Sequence, residues 1–175
     1  MTPIAAPVRV PAWTDPATFP DNDVLRNPPG SLDLEQRAHL ALLAERIRAA
    51  HDLLLALGAR YAALPTQFAD AQAREMALLS ALHRRYAPGE PVHASPAAGQ
   101  YADPTVQTEY DRLLERGRTG RAEAAPSIAE ALRGVLELLD ADLPRVSAAD
   151  VHEAYSRLCA ATVRQLQAVQ AWSSR

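Results

Sequence analysis

The sequence feature that most constrains the fold is a helical spacing of apolar residues that recurs in separate segments along the 175-residue chain. In the first segment, which follows Gly30 and a cap at Ser31 or Asp33, apolar residues step by three and four for about seven turns. That spacing keeps one stripe of a helix facing a partner helix until Pro65 ends it. The residues of this stripe are Leu40, Leu43, Ile47, Ala50, Leu54, Leu57, Tyr61 and Leu64.

Three more segments carry the same spacing. The second stripe ends at Pro88 and Gly89, the third ends near Asp140, and the last follows a capping-box variant at Ser147 and Asp150. No segment alternates with the two-residue period of a strand. Four long amphipathic helices with mostly short links predict an all-α, antiparallel four-helix bundle. The three stripes consist of Phe68, Gln72, Met76, Leu79, His83 and Tyr86; Ile128, Leu132, Val135 and Leu139; and Val151, Tyr155, Leu158, Thr162, Gln165, Val169 and Trp172.

Helix-breaking residues mark the connection between the second and third long helices. Residues 87–103 are rich in proline and glycine and predict an irregular crossover. Asp103 followed by Pro104 is typical of a cap and a first helical turn, so we expect an extra short helix that ends near Gly117. In the third long helix, Pro126 is expected near the start or at a kink.

The first 30 residues differ from the rest of the chain. They carry half of the 14 prolines, so we expect neither a helix nor a central strand but an extended or disordered segment. Trp13 and Phe19 indicate some ordering, as a strap along the bundle or along a partner subunit. The expected domains are a Pro-rich extended arm at residues 1–30 and a four-helix bundle at residues 31–175.

Composition and motifs exclude several classes of function. A net charge of −3 provides no basic patch for nucleic acid, and the single Cys159 excludes an intrachain disulfide or a cysteine-rich zinc site. No apolar run is long enough to span a membrane and no signal peptide is recognisable, so a cytoplasmic location is expected. No nucleophile motif or phosphate-binding loop is present. The histidines show no metal-ligand spacing and are expected at surface or boundary positions: His39, His51, His83, His93 and His152.

Polar residues within the stripes are the first candidates for function. Gln72 and Gln165 are predicted to be buried, where an unsatisfied amide costs about 1–3 kcal/mol. We therefore expect them to hydrogen-bond to each other or to carboxylates, which requires no metal. Gln72 and Glu75 have the spacing of the Glu-x-x-His pair that binds metals in helical bundles, with neither residue type in place.

Two carboxylates of the first helix are a second candidate. Glu45 and Asp52 lie seven residues apart and therefore share one face, which is also lined by alanines. Such a face is compatible with a position in a crowded interior. The favoured interpretation is a ladder of surface ion pairs, because Arg48 lies three residues after Glu45 and four before Asp52.

Several sequence blocks between about residue 32 and residue 172 form a recognisable pattern. They are LAERIRAAHD at 43–52, LAL at 55–57, REMALLSALHRRY at 74–86, YADPTVQTEYDRL at 101–113, IAEAL at 128–132, LELLDADL at 136–143 and YSRL at 155–158. In the order and spacing of these blocks the chain resembles a family of bacterial and archaeal ferritin-like proteins of unknown function, whereas the Pro-rich first 30 residues lie outside the match. The resemblance implies a ferritin-like fold and, for typical members, a di-metal centre with ligands from all four helices.

Carried over position by position, the resemblance implies a degenerate metal centre. Glu45 and Glu137 match implied ligands, whereas Gln72 replaces a Glu, Glu75 replaces a His and Gln165 replaces a second His. Neutral amides are poor ligands for iron or manganese. The carboxylates that remain would hold at most one hard cation, and weakly. They are Glu45, Glu75 and Glu137.

These observations favour a non-catalytic ferritin-like protein with a structural or protein-interaction role. Its partner is expected to be another copy of the chain or a different protein, engaged through a bundle face and the N-terminal arm. The alternative is a divergent metal-binding oxidoreductase or iron-handling protein that uses Glu45, Glu75 and Glu137 with iron or manganese. A bundle that binds a small molecule without a metal is a third alternative, for which the sequence shows no polar constellation.

Overall fold

The computed structural model describes residues 23–61, 68–88 and 97–173 of the chain. These ranges contain α-helices and no strand, so the predicted all-α class is confirmed. None of the described helices is both long enough and apolar enough to cross a membrane. The helices are α1 (Asp23–Arg26), α2 (Leu34–Arg60), α3 (Ala69–Tyr86), α4 (Pro104–Arg118), α5 (Arg121–Asp142) and α6 (Ala149–Ser173), with a 3₁₀ turn at Leu143–Arg145.

Side-chain caps begin two of the helices where the sequence predicts them. Asp33 accepts a hydrogen bond from the N–H of Gln36, and the Gln36 side chain accepts one from the N–H of Asp33, which closes a capping box on α2. Asp103 accepts hydrogen bonds from first-turn N–H groups of α4, with Pro104 as the first helical residue. Pro126 lies within α5, close to its start.

The four long helices form an antiparallel bundle. α2 packs between α3 and α5, and α6 packs between α5 and α3, which leaves α3 diagonal to α5. The start of α2 meets the end of α5 through His39 and Asp142. The start of α3 meets the end of α6 through Gln72 and Gln165. The chain therefore passes from α3 to the diagonal position by way of the crossover and α4.

The short helix α4 lies against α2 and α5. It runs in the same direction as α2, because Arg46 pairs with Glu109 and Leu57 lies against Gly117. A Cβ atom at Gly117 would lie 2.5 Å from Cδ1 of Leu57. The glycine thus allows a close approach of the two helices at this point.

The buried apolar side chains form two clusters. Along α6, Leu158 belongs to one cluster and Val169 to the other, with the buried polar residues Thr162 and Gln165 between them. We call the cluster to which α4 contributes the crossover-side cluster, and the cluster to which α1 contributes the strap-side cluster. The first includes Leu54, Leu57, Tyr110, Leu113, Ile128 and Trp172, and the second includes Val24, Leu40, Leu79, Leu139, Val151 and Leu158.

Residues 23–33 form a strap that packs on the bundle. Its helical turn, Asp23–Arg26, contradicts the prediction that residues 1–30 contain no helix. The physical reason is that no proline lies between Pro20 and Pro28, which leaves room for one turn. Val24 on this turn is fully buried in the strap-side cluster.

Several predicted features fall outside the described residues. They include the arm up to residue 22, the end of the first stripe from residue 62, and the crossover at residues 89–96. The division into an arm and a bundle at residue 30 stays a prediction. The predicted residues concerned are Trp13, Phe19, Leu64, Pro65 and His93.

A buried carboxylate joins the strap, α3 and α6. Asp150, which the sequence places in a capping box, is fully buried and accepts hydrogen bonds from the Tyr86 hydroxyl and the Arg85 guanidinium. Arg85 also donates to the carbonyl oxygens of Leu25 and Asn27 in the strap. Burial and the hydrogen bond to the Asp150 carboxylate raise the pKa of Tyr86 to about 12, so the phenol stays protonated at neutral pH. We call Arg85, Tyr86 and Asp150 the latch.

Candidate functional site

The three carboxylates predicted as a degenerate metal centre lie in different settings. Glu45 is half-buried beside the segment that precedes α4, Glu75 is half-buried between α3 and α6, and Glu137 is exposed on α5. In the described ranges, no three His, Cys, Asp or Glu side chains form a group that could hold a metal ion. The structure therefore does not bring the three predicted ligands together.

Two glutamines occupy the bundle interior at positions where the resemblance implies metal ligands. Gln72 and Gln165 are only 2% and 3% exposed. Gln72 Nε2 donates to Gln165 Oε1 at 3.1 Å, and Gln165 Nε2 donates to Glu75 Oε1 at 3.0 Å. The predicted mutual hydrogen bonding is therefore present, and we call these three residues the amide line.

The amide line joins α3 to α6 between the two apolar clusters. Thr162, one turn before Gln165, satisfies its own hydroxyl by donating to the carbonyl oxygen of Leu158. The Oε1 atom of Gln72 is buried and has no hydrogen-bond donor among the described residues. A shift of α3 along α6 would break both hydrogen bonds of the line, so the line fixes the register of these two helices.

The residues present do not fit a di-metal centre. The amide nitrogens of Gln72 and Gln165 are donors rather than ligands, and Glu75 accepts one of their hydrogen bonds. Both carboxylate oxygens of Glu45 accept hydrogen bonds from backbone N–H groups, and Glu137 lies on the exposed face of α5. Such a donor set supplies too little free negative charge to bind two divalent cations.

The carboxylates of α2 hold the end of the crossover instead. Glu45 accepts hydrogen bonds from the N–H groups of Ala102 and Asp103, at 3.0 and 2.9 Å. Asp52 Oδ2 accepts from the Tyr101 hydroxyl at 2.8 Å and from the N–H of Gly99 at 3.0 Å. Both sequence interpretations of this face are therefore wrong: Glu45 and Asp52 lie neither in a crowded interior nor in a ladder of surface ion pairs, but against residues 99–103 at the end of the crossover.

Arg48 completes this contact between α2 and the crossover. Its guanidinium donates to the carbonyl oxygen of Gln100 and lies 4.7 Å from the ring centroid of Tyr101. We call Glu45, Arg48 and Asp52 the loop clamp. Charge-assisted hydrogen bonds of this kind are stronger than neutral ones, so the loop clamp anchors a segment that has no regular structure of its own.

The protonation state of Asp52 is set by its partners. Burial by itself raises the pKa of Asp52, but hydrogen bonds from His51, Tyr101 and Gly99 outweigh burial and lower it below its ordinary value. Burial and the nearby Asp52 charge raise the pKa of Tyr101 far above its ordinary value, so Tyr101 remains a donor. His51, expected at a surface or boundary position, is buried with Nδ1 3.3 Å from Asp52 Oδ1.

A cavity of about 170 Å³ lies where α2 begins and α5 ends. His39 Nδ1 lies 2.6 Å from Asp142 Oδ1 at this site, and the Asp142 side chain is only 5% exposed. No motif or stripe in the sequence marks this pair. A local signal exists, because acidic residues in a last helical turn oppose the helix dipole, and Asp140 and Asp142 both lie there. The basal cavity is lined by Asp33, Glu35, Gln36, His39, Asp142, Arg145, Val146 and Tyr155.

Besides the latch, the described residues contain three polar constellations: the amide line, the loop clamp and the basal cavity. Comparison with protein-family models, curated proteins and solved structures gives no match to the chain. Each of the three constellations keeps one buried polar atom without a hydrogen-bond partner among the described residues: Gln72 Oε1, Arg48 Nε and Asp142 Oδ2. Of these three residues, only Asp142 lines the basal cavity. Any function of the chain has to be compatible with these geometries.

Replacement of Asp52 by Asn is expected to weaken the loop clamp by removing its charge. We expect a loss of about 1–3 kcal/mol in the free energy of unfolding at pH 7. Because the folded-state pKa of Asp52 is lowered, the stabilisation is present above the unfolded-state pKa and is lost as pH falls through the folded-state value. In urea unfolding, the free energies of unfolding of wild type and Asp52→Asn should therefore differ by a constant amount between about pH 7 and 5. This difference should become smaller below about pH 4.

The control for this substitution is Asp140→Asn, which changes an exposed carboxylate on α5. Its effect should stay within about 0.5 kcal/mol at each pH. An Asp52→Asn difference that does not change between pH 7 and pH 3 would contradict the charge-based account.

The amide line is tested by a double-mutant cycle. Gln165→Leu leaves the Gln72 amide without its acceptor, so we expect a loss of about 1–3 kcal/mol. Gln72→Leu alone leaves Gln165 Oε1 without a donor and should also destabilise. In the double variant neither amide remains, so its loss should be smaller than the sum of the two single losses by about 1 kcal/mol. Urea unfolding at pH 7 measures the free energy of unfolding of all three variants. If the two single losses add up to the loss in the double variant, the hydrogen bond does not couple the helices.

Proposed function

We propose that the chain is a ferritin-like helical scaffold with a structural or protein-interaction role and without a catalytic metal centre. The connectivity supports the ferritin-like part, because one long crossover joins diagonal helices in such bundles. Here that crossover runs from α3 to α5 and carries α4. The resemblance in sequence blocks is the other ground for this part of the proposal.

The amide line is the observation that carries the proposal. In a metal-binding bundle the interior positions of facing helices supply carboxylate and imidazole ligands. In this chain the corresponding positions hold Gln72 and Gln165, whose amides bond to each other and to Glu75. Buried amides hydrogen-bonded to each other in this way hold the two helices in a fixed geometry without any ion.

A scaffold acts through its surface, and the bundle leaves few large apolar groups exposed. Among the described residues these are Leu34 at 75%, Leu55 at 43% and Val163 at 41%. Leu34 and Leu55 lie on α2, and Val163 lies on α6. In this proposal a second copy of the chain or another protein binds to one of these faces and to the N-terminal arm.

Metal content tests the absence of a metal centre. Protein purified from medium with added iron and manganese should contain far less than one equivalent of either metal per chain, because amides are poor ligands for them. The Glu45→Ala, Glu75→Ala double variant should have the same metal content and the same rate of oxygen consumption with ferrous iron. Stoichiometric metal that the double variant loses would overturn the proposal in favour of a metal-binding oxidoreductase or iron-handling protein.

Mass in solution tests the interaction role. Wild-type protein is expected to have a mass above the 18.9 kDa of one chain, as measured by light scattering after size exclusion. Leu55→Glu and Val163→Glu place a charge on the proposed contact faces and should lower that mass. Ala122→Glu, on the exposed part of α5, is the matched control and should leave it unchanged. A wild-type mass of one chain would remove the homo-oligomer from the proposal.

A further inference from the structure

Asp142 in the basal cavity has an unusual environment for a carboxylate. One of its oxygens, Oδ1, is held by His39 at 2.6 Å. The other, Oδ2, is buried and has no hydrogen-bond donor among the described residues. It is the one buried side-chain atom without a partner among the residues that line the cavity. A buried charged oxygen without a donor is costly, so it indicates a ligand that supplies one.

The charges around the cavity favour a cation. Three carboxylates line it, those of Asp33, Glu35 and Asp142, against the side chains of His39 and Arg145. Arg145 is mostly exposed and lies 3.5 Å from Glu35, so its charge is directed to the rim. The positive end of the α2 dipole also lies here, but it is offset by its own first-turn acids and by the negative end of α5.

Asp142 has one carboxylate oxygen without a donor, and this favours one kind of cation over others. A guanidinium binds a carboxylate best through both oxygens, and one of them is already occupied by His39. A metal ion requires several ligands, and no group of three suitable side chains exists in the described part of the chain. An ammonium group is a point charge with three N–H donors, and one free oxygen is enough to receive it.

The apolar residues that line the cavity indicate which group is attached to the ammonium ion. Val146 and the buried ring of Tyr155 line the cavity beside the polar residues. Burial and the Asp142 charge raise the pKa of Tyr155, so the phenol is neutral and adds no charge. A cavity of about 150 Å³ is known to accept benzene, so a volume of about 170 Å³ accepts a short alkyl chain.

We propose that the basal cavity is a binding site for a small primary alkylammonium ion, whose N–H group donates to Asp142 Oδ2 and whose alkyl chain lies against Val146 and Tyr155. This site uses no residue of the amide line, and it does not depend on the proposed scaffold role. The third alternative from the sequence, a bundle that binds a small molecule without a metal, lacked a polar site for the ligand. The basal cavity is such a site.

Calorimetric titration of the full chain with n-butylammonium chloride tests the site. We expect saturable binding to the wild-type protein at concentrations up to about 10 mM. Tetramethylammonium, which has the charge but no N–H donor, and n-butanol, which has the chain but no charge, should each bind at least about tenfold more weakly. Magnesium chloride should not compete. Equal binding of tetramethylammonium, displacement by magnesium, or no saturable binding would each overturn the proposal.

Substitutions locate the binding at Asp142. Asp142→Asn should weaken n-butylammonium binding by about tenfold or more, because a charge-assisted hydrogen bond is lost. Asp140→Asn, an exposed acid in the same helical turn, is the matched control and should change the affinity by less than about twofold. Unchanged affinity in a folded Asp142→Asn protein, or an equal loss in Asp140→Asn, would overturn the assignment.

A second measurement on the wild-type protein keeps the test decisive if Asp142→Asn does not fold. Histidine imidazole signals are followed by NMR during the n-butylammonium titration, and His39 is assigned by its loss in His39→Gln. The His39 signal should shift with the same saturation as the calorimetric binding, because His39 contacts Asp142 directly. The signals of His51, His83 and His152 should stay unchanged. A shift that spares His39, or that affects all histidines equally, would contradict binding in the basal cavity.

Discussion

Hydrogen bonds between α3 and α6 hold these two helices in place relative to each other, although they share the smallest interface among the neighbouring long helices. The other neighbouring pairs of long helices approach each other closely, whereas the backbones of α3 and α6 come close at few points. The amide line holds one end of this interface, and the latch, with the fully buried Asp150, holds the other. Buried polar groups tolerate little displacement, since each lost partner leaves a desolvated atom. The position of α3, and with it the docking of the strap, therefore depends on these side-chain contacts.

Features that lie within one helix could be predicted from the sequence. All of the residues assigned to the inward stripe of α6 are buried, and the predicted caps of α2 and α4 are formed. Helical periodicity and cap chemistry depend on neighbouring residues, so they are visible in the sequence. The pairing of Gln72 with Gln165 was predictable for another reason, because two buried amides on facing helices each need a partner.

Contacts between distant segments could not be predicted in the same way. The spacing of Glu45 and Asp52 places them on one face of α2 but does not reveal that the crossover lies over that face. His39 and Asp142 are 103 residues apart, and their contact depends on how α2 and α5 pack. The exposure of Glu137, by contrast, follows from local spacing, because Glu137 lies two residues from both Val135 and Leu139 of the buried stripe and therefore on the opposite face of α5.

The division of the apolar core into two clusters has a consequence for how the molecule opens. Both clusters draw most of their buried residues from α2, α5 and α6, whereas α4 contributes only to one cluster and α1 and α3 contribute only to the other. Fraying of one end of the bundle exposes one cluster and leaves the other packed. We therefore expect two partly independent cooperative units, with amide hydrogen exchange at the two ends of the bundle proceeding through separate partial openings in addition to global unfolding.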